Sequence, residues 1–236
     1  MGAEELLDLA RSGEVDEMQA LAVLRNPRCP TEAAELLAAQ RMLLRRDSIR
    51  ALLAGFRGMP LAQSLNLMAT LPWLALLDIA QAPRTPPQVR RHAEQRLLGR
   101  IESMTRGERV ALARRCHRPM VRQVTRTGDA MILEAFLDNP RATENDILVI
   151  LNTAEPTPEF IAIVVRHHKW GQYRGVRAAV VRNPRTPLSL ALSVLVQLSR
   201  RDLRDLCDRR DVPDAVMDAA QALKEKQDRG IRHVGS

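Results

Sequence analysis

Asn26-Pro27-Arg28-Cys29-Pro30-Thr31 recurs along the chain as Ala82-Pro83-Arg84-Thr85-Pro86-Pro87, Asn139-Pro140-Arg141-Ala142-Thr143 and Asn183-Pro184-Arg185-Thr186-Pro187-Leu188. Weaker echoes stand at Glu155-Pro156-Thr157-Pro158 and Asp211-Val212-Pro213-Asp214. The first proline of each string cannot continue a helix, and it pushes the residue before it into extended geometry. The threonine is then placed to cap the next helix, with the second proline at its first position, where a missing N–H costs nothing. Each copy reads as a stop and a start within about five residues, which holds consecutive helices side by side.

Between these signals the apolar residues fall at helical period. Ala33, Leu36, Leu37 and Gln40 follow the first copy; Ile147, Ile150 and Leu151 the third; Leu188, Ala191, Leu192, Leu195 and Leu198 the fourth. Such i, i+3, i+4, i+7 spacing predicts an all-α chain. The chain also repeats at longer range. Residues 60–97 moved forward by 127 place Pro60, Leu61, Leu65 and Leu71 on Pro187, Leu188, Leu192 and Leu198, and Asp78, Pro86, Val89 and Ala93 on Asp205, Pro213, Val216 and Ala220. Ile49-Arg50-Ala51 falls on Val176-Arg177-Ala178 at the same offset, while Leu24 to Arg28 matches Leu137 to Arg141 at 113. Leu65 and Leu192 are thereby expected at equivalent core positions. Units of a few helices that cannot bury their own apolar faces stack into one continuous core, so the expected architecture is a right-handed α-solenoid with Pro-containing corners. Its expected divisions are an N-terminal helical cap over 1–25, split near Ser12-Gly13, and a solenoid over 26–223. The solenoid comprises a first block (26–100), basic linking helices (101–138) and a second block (139–223) related to the first by duplication. A charged, frayed tail follows over 224–236.

Composition narrows the class. The chain has 236 residues, 45% hydrophobic and 27% charged, which supports a sizeable core and excludes general disorder. The apolar stretch from Leu71 to Ala82 is broken by Pro72 and Asp78 and is too short to span a bilayer. Without a signal-like N-terminus, a cytoplasmic location is expected. Aromatic residues make up only 3%, a poor supply for base stacking. Cys29, Cys116 and Cys207 are far apart with no CxxC spacing, so reduced thiols are expected, with neither a disulfide framework nor a zinc site. The net charge is +8, and the positive side is nearly all arginine, lysine occurring only at Lys169, Lys224 and Lys226. That balance points to a polyanionic or acidic partner, or to the codon usage of a GC-rich genome.

The strings Asn183-Pro184-Arg185-Thr186-Pro187-Leu188 and Val176 to Pro184 resemble the HEAT-like and leucine-rich repeat variant class of bacterial α-solenoids, at the level of repeat grammar across residues 26–223. The resemblance implies α-helices alternating with short helical turns at the corners, and a role in binding. Some members carry an N-terminal cysteine cluster for iron–sulfur ligation; this sequence has none, and no cofactor is expected.

Residues that could carry chemistry are few. His167-His168 point about 100° apart on a helix and share a metal poorly, while His92, His117 and His233 are isolated. No Gly-x-Ser-x-Gly, phosphate loop, HExxH or GxGxxG occurs. Arg114, Arg118, Arg122 and Arg126 recur every fourth residue with Arg115 beside them, and Arg90, Arg91, Arg96, Arg100, Arg106 and Arg109 precede them. Pro119 breaks this stripe, which is therefore expected to divide between two helices meeting at a corner. Trp170, Tyr173 and Arg174 form a second candidate binding spot, set against a purely structural role for Trp170 as a hydrophobic anchor. HEAT-like DNA glycosylases, of similar length and charge, would need aromatic residues around an aspartate, for which Trp73 with Asp78 is the other candidate. The corner arginines Arg28, Arg84, Arg141 and Arg185 are read as reaching a carbonyl at the end of the previous helix or an acidic neighbour, or as a ladder if the corners stack. Together these features lead to the expectation of a non-enzymatic scaffold that binds a protein through a concave, arginine-rich surface. A nucleic-acid-binding protein, with or without base excision, is the alternative.

Overall fold

In a computed structural model of the chain the described residues are all but Glu14, Thr127, Ala154, Glu155, Arg210 and 233–236; the side chains of Arg118, Thr153 and 227–232 also lie outside them. The described residues are all-helical, with no strand among them. The chain divides into two units, Met1–Met104 and Thr105–Ser236. The first contains α1 (Ala3–Arg11), α2 (Glu17–Arg25), α3 (Thr31–Ala39), α4 (Asp47–Ala54), α5 (Leu61–Met68), α6 (Trp73–Gln81) and α7 (Pro87–Arg100). The second contains α8 (Arg106–Ala113), α9 (Val121–Thr125), α10 (Ala130–Leu137), α11 (Glu144–Thr153), α12 (Pro158–Arg166), α13 (Arg174–Arg182), α14 (Leu188–Leu195), α15 (Arg200–Cys207) and α16 (Asp214–Arg232). The backbone of α16 is thus helical well past residue 223, where the sequence placed the start of the tail. The expected break after α1 falls at Gly13, whose φ of 71° is open to glycine at little cost.

Within each unit helices pack both on the next helix, as α4 on α5, α6 on α7, α13 on α14 and α15 on α16, and on the helix two places later. In the first, α1 meets α3, α2 meets α4, α4 meets α6 and α5 meets α7; in the second, α8 meets α10, α10 meets α12, α11 meets α13 and α14 meets α16. Helix boundaries recur between the units at the offset of 127 residues: Thr31–Ala39 against Pro158–Arg166, Leu61–Met68 against Leu188–Leu195, and the 3-10 turn Leu43–Arg45 against Trp170–Gln172. Burial recurs with them. Ile49, Leu53, Leu76 and Val89 are buried, and so are Val176, Val180, Leu203 and Val216.

Two expectations are corrected here. Leu192 is 36% exposed and Leu65 only half-buried, so neither is a core position. The buried face of α5 and α14 runs instead through Ser64 and Ala191, Met68 and Leu195, then Leu71 and Leu198 just beyond. In the second and fourth copies of the corner string the threonine does not cap the next helix. Pro86 and Pro187 are themselves the N-caps of α7 and α14, accepting the first helical N–H from Arg90 and Ala191 through their carbonyls. The Thr186 hydroxyl turns back to donate to the Val180 carbonyl at 2.6 Å. In the third copy, which lacks the second proline, Thr143 precedes α11 directly and exchanges hydrogen bonds with Asp146. Thr157, followed by Pro158 at the first helical position, caps α12 through the Phe160 N–H as the grammar predicts.

Candidate functional site

The arginine stripe divides as expected. Arg114 is the C-cap of α8, Arg115 follows it, Pro119 lies in a 3-10 turn over Arg118–Met120, and Arg122 and Arg126 belong to α9 and its end. Arg114, Arg115, Arg122 and Arg126 are exposed, whereas the Arg118 side chain lies outside the described residues. The arginines preceding the stripe are partly committed to the fold. Arg106 binds Asp129 through two bonds of 2.7 and 3.0 Å, and Arg100 donates to the Leu71 and Ala69 carbonyls at 2.6 and 3.1 Å.

Trp170 is not a surface contact. Its side chain is 1% exposed, and its Nε1–H donates to the Leu137 carbonyl at 2.8 Å, so a ligand cannot reach the indole. This corrects its assignment to a binding spot and gives it the anchoring role instead. The physical reason is its place on the 3-10 turn that packs between α12 and α13, the counterpart of buried Leu43 in the first unit. Lys169 Nζ stands 3.9 Å from the indole centroid, and the Tyr173 ring centroid lies 5.3 Å away with Tyr173 37% exposed. Arg174 is bound to Asp202 and approaches Asp205 at 3.5 Å, so its charge is taken up within the chain. His167 accepts the Lys169 and Trp170 backbone N–H groups at Nδ1 and faces Asp138 through Nε2 at 3.3 Å, which fixes the turn after α12. His233 lies outside the described residues.

A groove in the first unit brings together residues that no linear stripe announced. It encloses about 1670 Å³ and runs across the C-terminal ends of α2, α4 and α6 and the start of α7. Its floor is apolar, with half-buried Leu52 and Phe56 and exposed Leu74. Along it stand Arg25, Arg57, Arg84 and Arg90, none of which makes an ion pair among the described residues. Arg90 Nε is buried there without a hydrogen-bond partner. Two carboxylates share the groove: Asp47, already bound by Arg50, and Asp78. Trp73 is not among the residues that line it, and Phe56 is the aromatic ring that shares the groove with Asp78.

The side chain of Arg84 makes no hydrogen bond among the described residues, and neither does that of Arg28; neither reaches a carbonyl of the previous helix. The corner asparagines reach back instead, past the preceding helix to the end of the one two places earlier. Asn139 Nδ2 donates to the Ala113 and Cys116 carbonyls at 2.9 and 2.8 Å, and Asn183 Nδ2 to the Leu151 carbonyl at 2.6 Å. Their Oδ1 atoms accept the backbone N–H two residues on, at 2.9 Å from Arg141 and 2.8 Å from Arg185, as Asn26 does from Arg28 at 2.9 Å. The Asn-Pro pairing in the sequence carries this signal, since the asparagine amide offers NH2 donors and a carbonyl acceptor that can bond in two directions at once.

Cys29 and Cys207 are half-buried and Cys116 is 1% exposed, all three unpaired. Burial pushes the Cys116 thiol up to about 12, against the opposing effect of its Asn139 hydrogen bond. The thiolate is the reactive form, so at about pH 8 Ellman's reagent is expected to titrate Cys29 and Cys207 in the folded protein and Cys116 only after denaturation. Rapid reaction of all three thiols in the folded protein would contradict that burial. Among the described residues no group of three or more His, Cys, Asp and Glu side chains could hold a metal ion, and no helix is long and apolar enough to cross a membrane. Comparison with protein-family models, with curated proteins and with solved structures gives no match.

Proposed function

We propose that this chain is a helical-repeat scaffold of HEAT-like type, a right-handed α-solenoid, that binds another protein through an arginine-rich concave face and acts by shape and charge rather than by catalysis. The repeat is supported by the recurrence of boundaries from α3 to α12 and from α5 to α14, and by the packing of α2 on α4 and of their counterparts α11 on α13. The observation that carries the function is the groove over α2, α4 and α6, where Arg25, Arg57, Arg84 and Arg90 stand unpaired beside an apolar floor. Exposed Arg114 and Arg122 around α9 favour nucleic acid as a second reading.

Affinity capture from a nuclease-treated lysate, run in parallel with wild type, Arg57→Glu/Arg84→Glu and Arg114→Glu/Arg122→Glu, separates the two. A protein retained by wild type and by the α9 variant but lost from the groove variant is the expected result. Loss of every partner on nuclease treatment, with duplex DNA or single-stranded RNA bound instead and with affinity falling steeply as salt rises, would replace the protein partner by nucleic acid.

A further inference from the structure

We propose that the groove of the first unit takes an extended acidic segment of a partner protein, one whose carboxylates recur at every third residue; this rests on the protein-binding function given above. The second unit supplies an internal control for what the groove arginines are for. At the offset that aligns the helices, Arg25, Arg57, Arg84 and Arg90 fall on Asn152, Pro184, Asp211 and Met217. The same helices form there without these arginines, so the scaffold does not need them. A cation at the C-terminal end of a helix is also favoured by the backbone dipole, but that preference applies equally to both units and leaves the difference unexplained.

Three arginines of the second unit, Arg174, Arg182 and Arg209, are neutralised by its own carboxylates. Asp211 receives Arg209 at 2.7 Å and Arg182 at 3.9 Å, and Asp202 and Asp205 receive Arg174. The Arg209 hydrogen bond holds the Asp211 carboxyl below its ordinary value. Burial works against the charge of Asp202, yet Ser199 and Arg174 hold it low as well. Carboxylates are therefore what this surface accepts when arginines line it. Among the described residues of the first unit no side chain plays that part for Arg25, Arg57, Arg84 or Arg90.

The spacing follows from the helices. Arg25, Arg57 and Arg84 stand at or just beyond the C-terminal ends of α2, α4 and α6, which pack as successive neighbours. Neighbouring helix axes lie about 8–10 Å apart. A peptide in polyproline II geometry advances about 3.1 Å per residue and returns every third side chain to the same face, which matches that interval. The apolar floor of Leu52, Phe56 and Leu74 suits the apolar residues between the carboxylates. A single-stranded nucleic acid fits less well, because Phe56 is the one aromatic ring in the lining on which a base could stack, whereas the apolar floor suits apolar side chains.

The test uses the full chain and a fluorescein-labelled peptide of four Glu-Pro-Leu repeats, read by anisotropy. Comparison probes are the Lys-Pro-Leu peptide, a peptide of the same composition with its glutamates contiguous, and an oligothymidylate of equal length. The Glu-Pro-Leu peptide is expected to bind about tenfold more tightly than the contiguous-acid peptide, to weaken about tenfold in Arg57→Glu/Arg84→Glu, and to change by less than about twofold in Arg114→Glu/Arg122→Glu. Asp78→Asn is expected to tighten it. Arg57 and Arg84 are exposed, so the fold should persist; Arg57→Gln/Arg84→Gln serves if the reversal does not fold. Equal affinity for the Lys-Pro-Leu peptide, or stronger binding of the oligothymidylate, would overturn the acidic segment as occupant. Equal binding of the contiguous-acid peptide would overturn the spacing. If no peptide binds while the groove variant still loses a captured protein, the acidic segment falls and the scaffold function stands.

Discussion

Trp170→Ala is expected to destabilise the protein by about 3–5 kcal/mol, the range for truncating a fully buried aromatic side chain. The indole is among the largest fully buried side chains, and its loss leaves a cavity under the 3-10 turn Trp170–Gln172. It also leaves the Leu137 carbonyl, at the end of α10, without the Nε1–H that meets it at 2.8 Å. An unsatisfied buried acceptor costs about 1–3 kcal/mol, so Trp170→Phe, which keeps most of the apolar volume, isolates that part. Leu43→Ala at the corresponding turn of the first unit removes a smaller side chain and is expected to cost about 2–5 kcal/mol. Urea unfolding followed by far-ultraviolet circular dichroism measures all three. A Trp170→Ala midpoint equal to that of wild type would return the ring to solvent and to the list of candidate ligand contacts.

The all-helical chain was legible because proline acts locally. A ring that cannot donate an N–H stops a helix whatever surrounds it, so α2, α6 and α13 end where Asn26-Pro27, Ala82-Pro83 and Asn183-Pro184 say they should. Which face of a helix is buried is not a local property. In α5 and α14 the recurring leucines, Leu61 with Leu188 and Leu65 with Leu192, invited a core assignment, yet they lie on the more open side. The buried positions are Ser64 and Ala191, both small, and the serine carries no hydrophobic signature. The cap was misread for a related reason. Proline's carbonyl is intact and accepts the first helical bond, so the residue after threonine, rather than threonine itself, becomes the N-cap.

The groove was legible only in part. Arg84 drew notice as a corner residue, but Arg25, Arg57 and Arg90 come from three other segments, and only the packing of α2, α4 and α6 assembles them. The run that is visible in the sequence, Arg114 to Arg126, is the one that Pro119 divides. Linear charge density thus pointed to α9, whereas the groove gathers residues about thirty apart along the chain (Arg25, Arg57, Arg84).

Asn139→Ala is expected to cost about 2–5 kcal/mol, as much as many core truncations, because it strands several buried groups at once. Asn139 is 2% exposed. Removing its amide leaves the Ala113 and Cys116 carbonyls without their Nδ2 donor and the Arg141 N–H without its Oδ1 acceptor. Those carbonyls belong to the end of α8, which packs on α10, so the same side chain closes one helix and fixes the start of the next corner. Asn183→Ala strands one carbonyl, that of Leu151, and the Arg185 N–H. Asn26→Ala removes only the bond to the Arg28 N–H, at a half-buried position, and is expected to cost about 1 kcal/mol. Asn139→Asp is the sharpest variant: it keeps the acceptor but turns a carboxylate oxygen toward two carbonyls in a buried site, and is expected to cost more than alanine. Denaturant midpoints should therefore fall in the order Asn26→Ala, Asn183→Ala, Asn139→Ala, Asn139→Asp, the last lowest. An Asn26→Ala variant as unstable as Asn139→Ala would mean that the turn bond, common to all three corners, and not the bond back to the earlier helix, holds these corners in place.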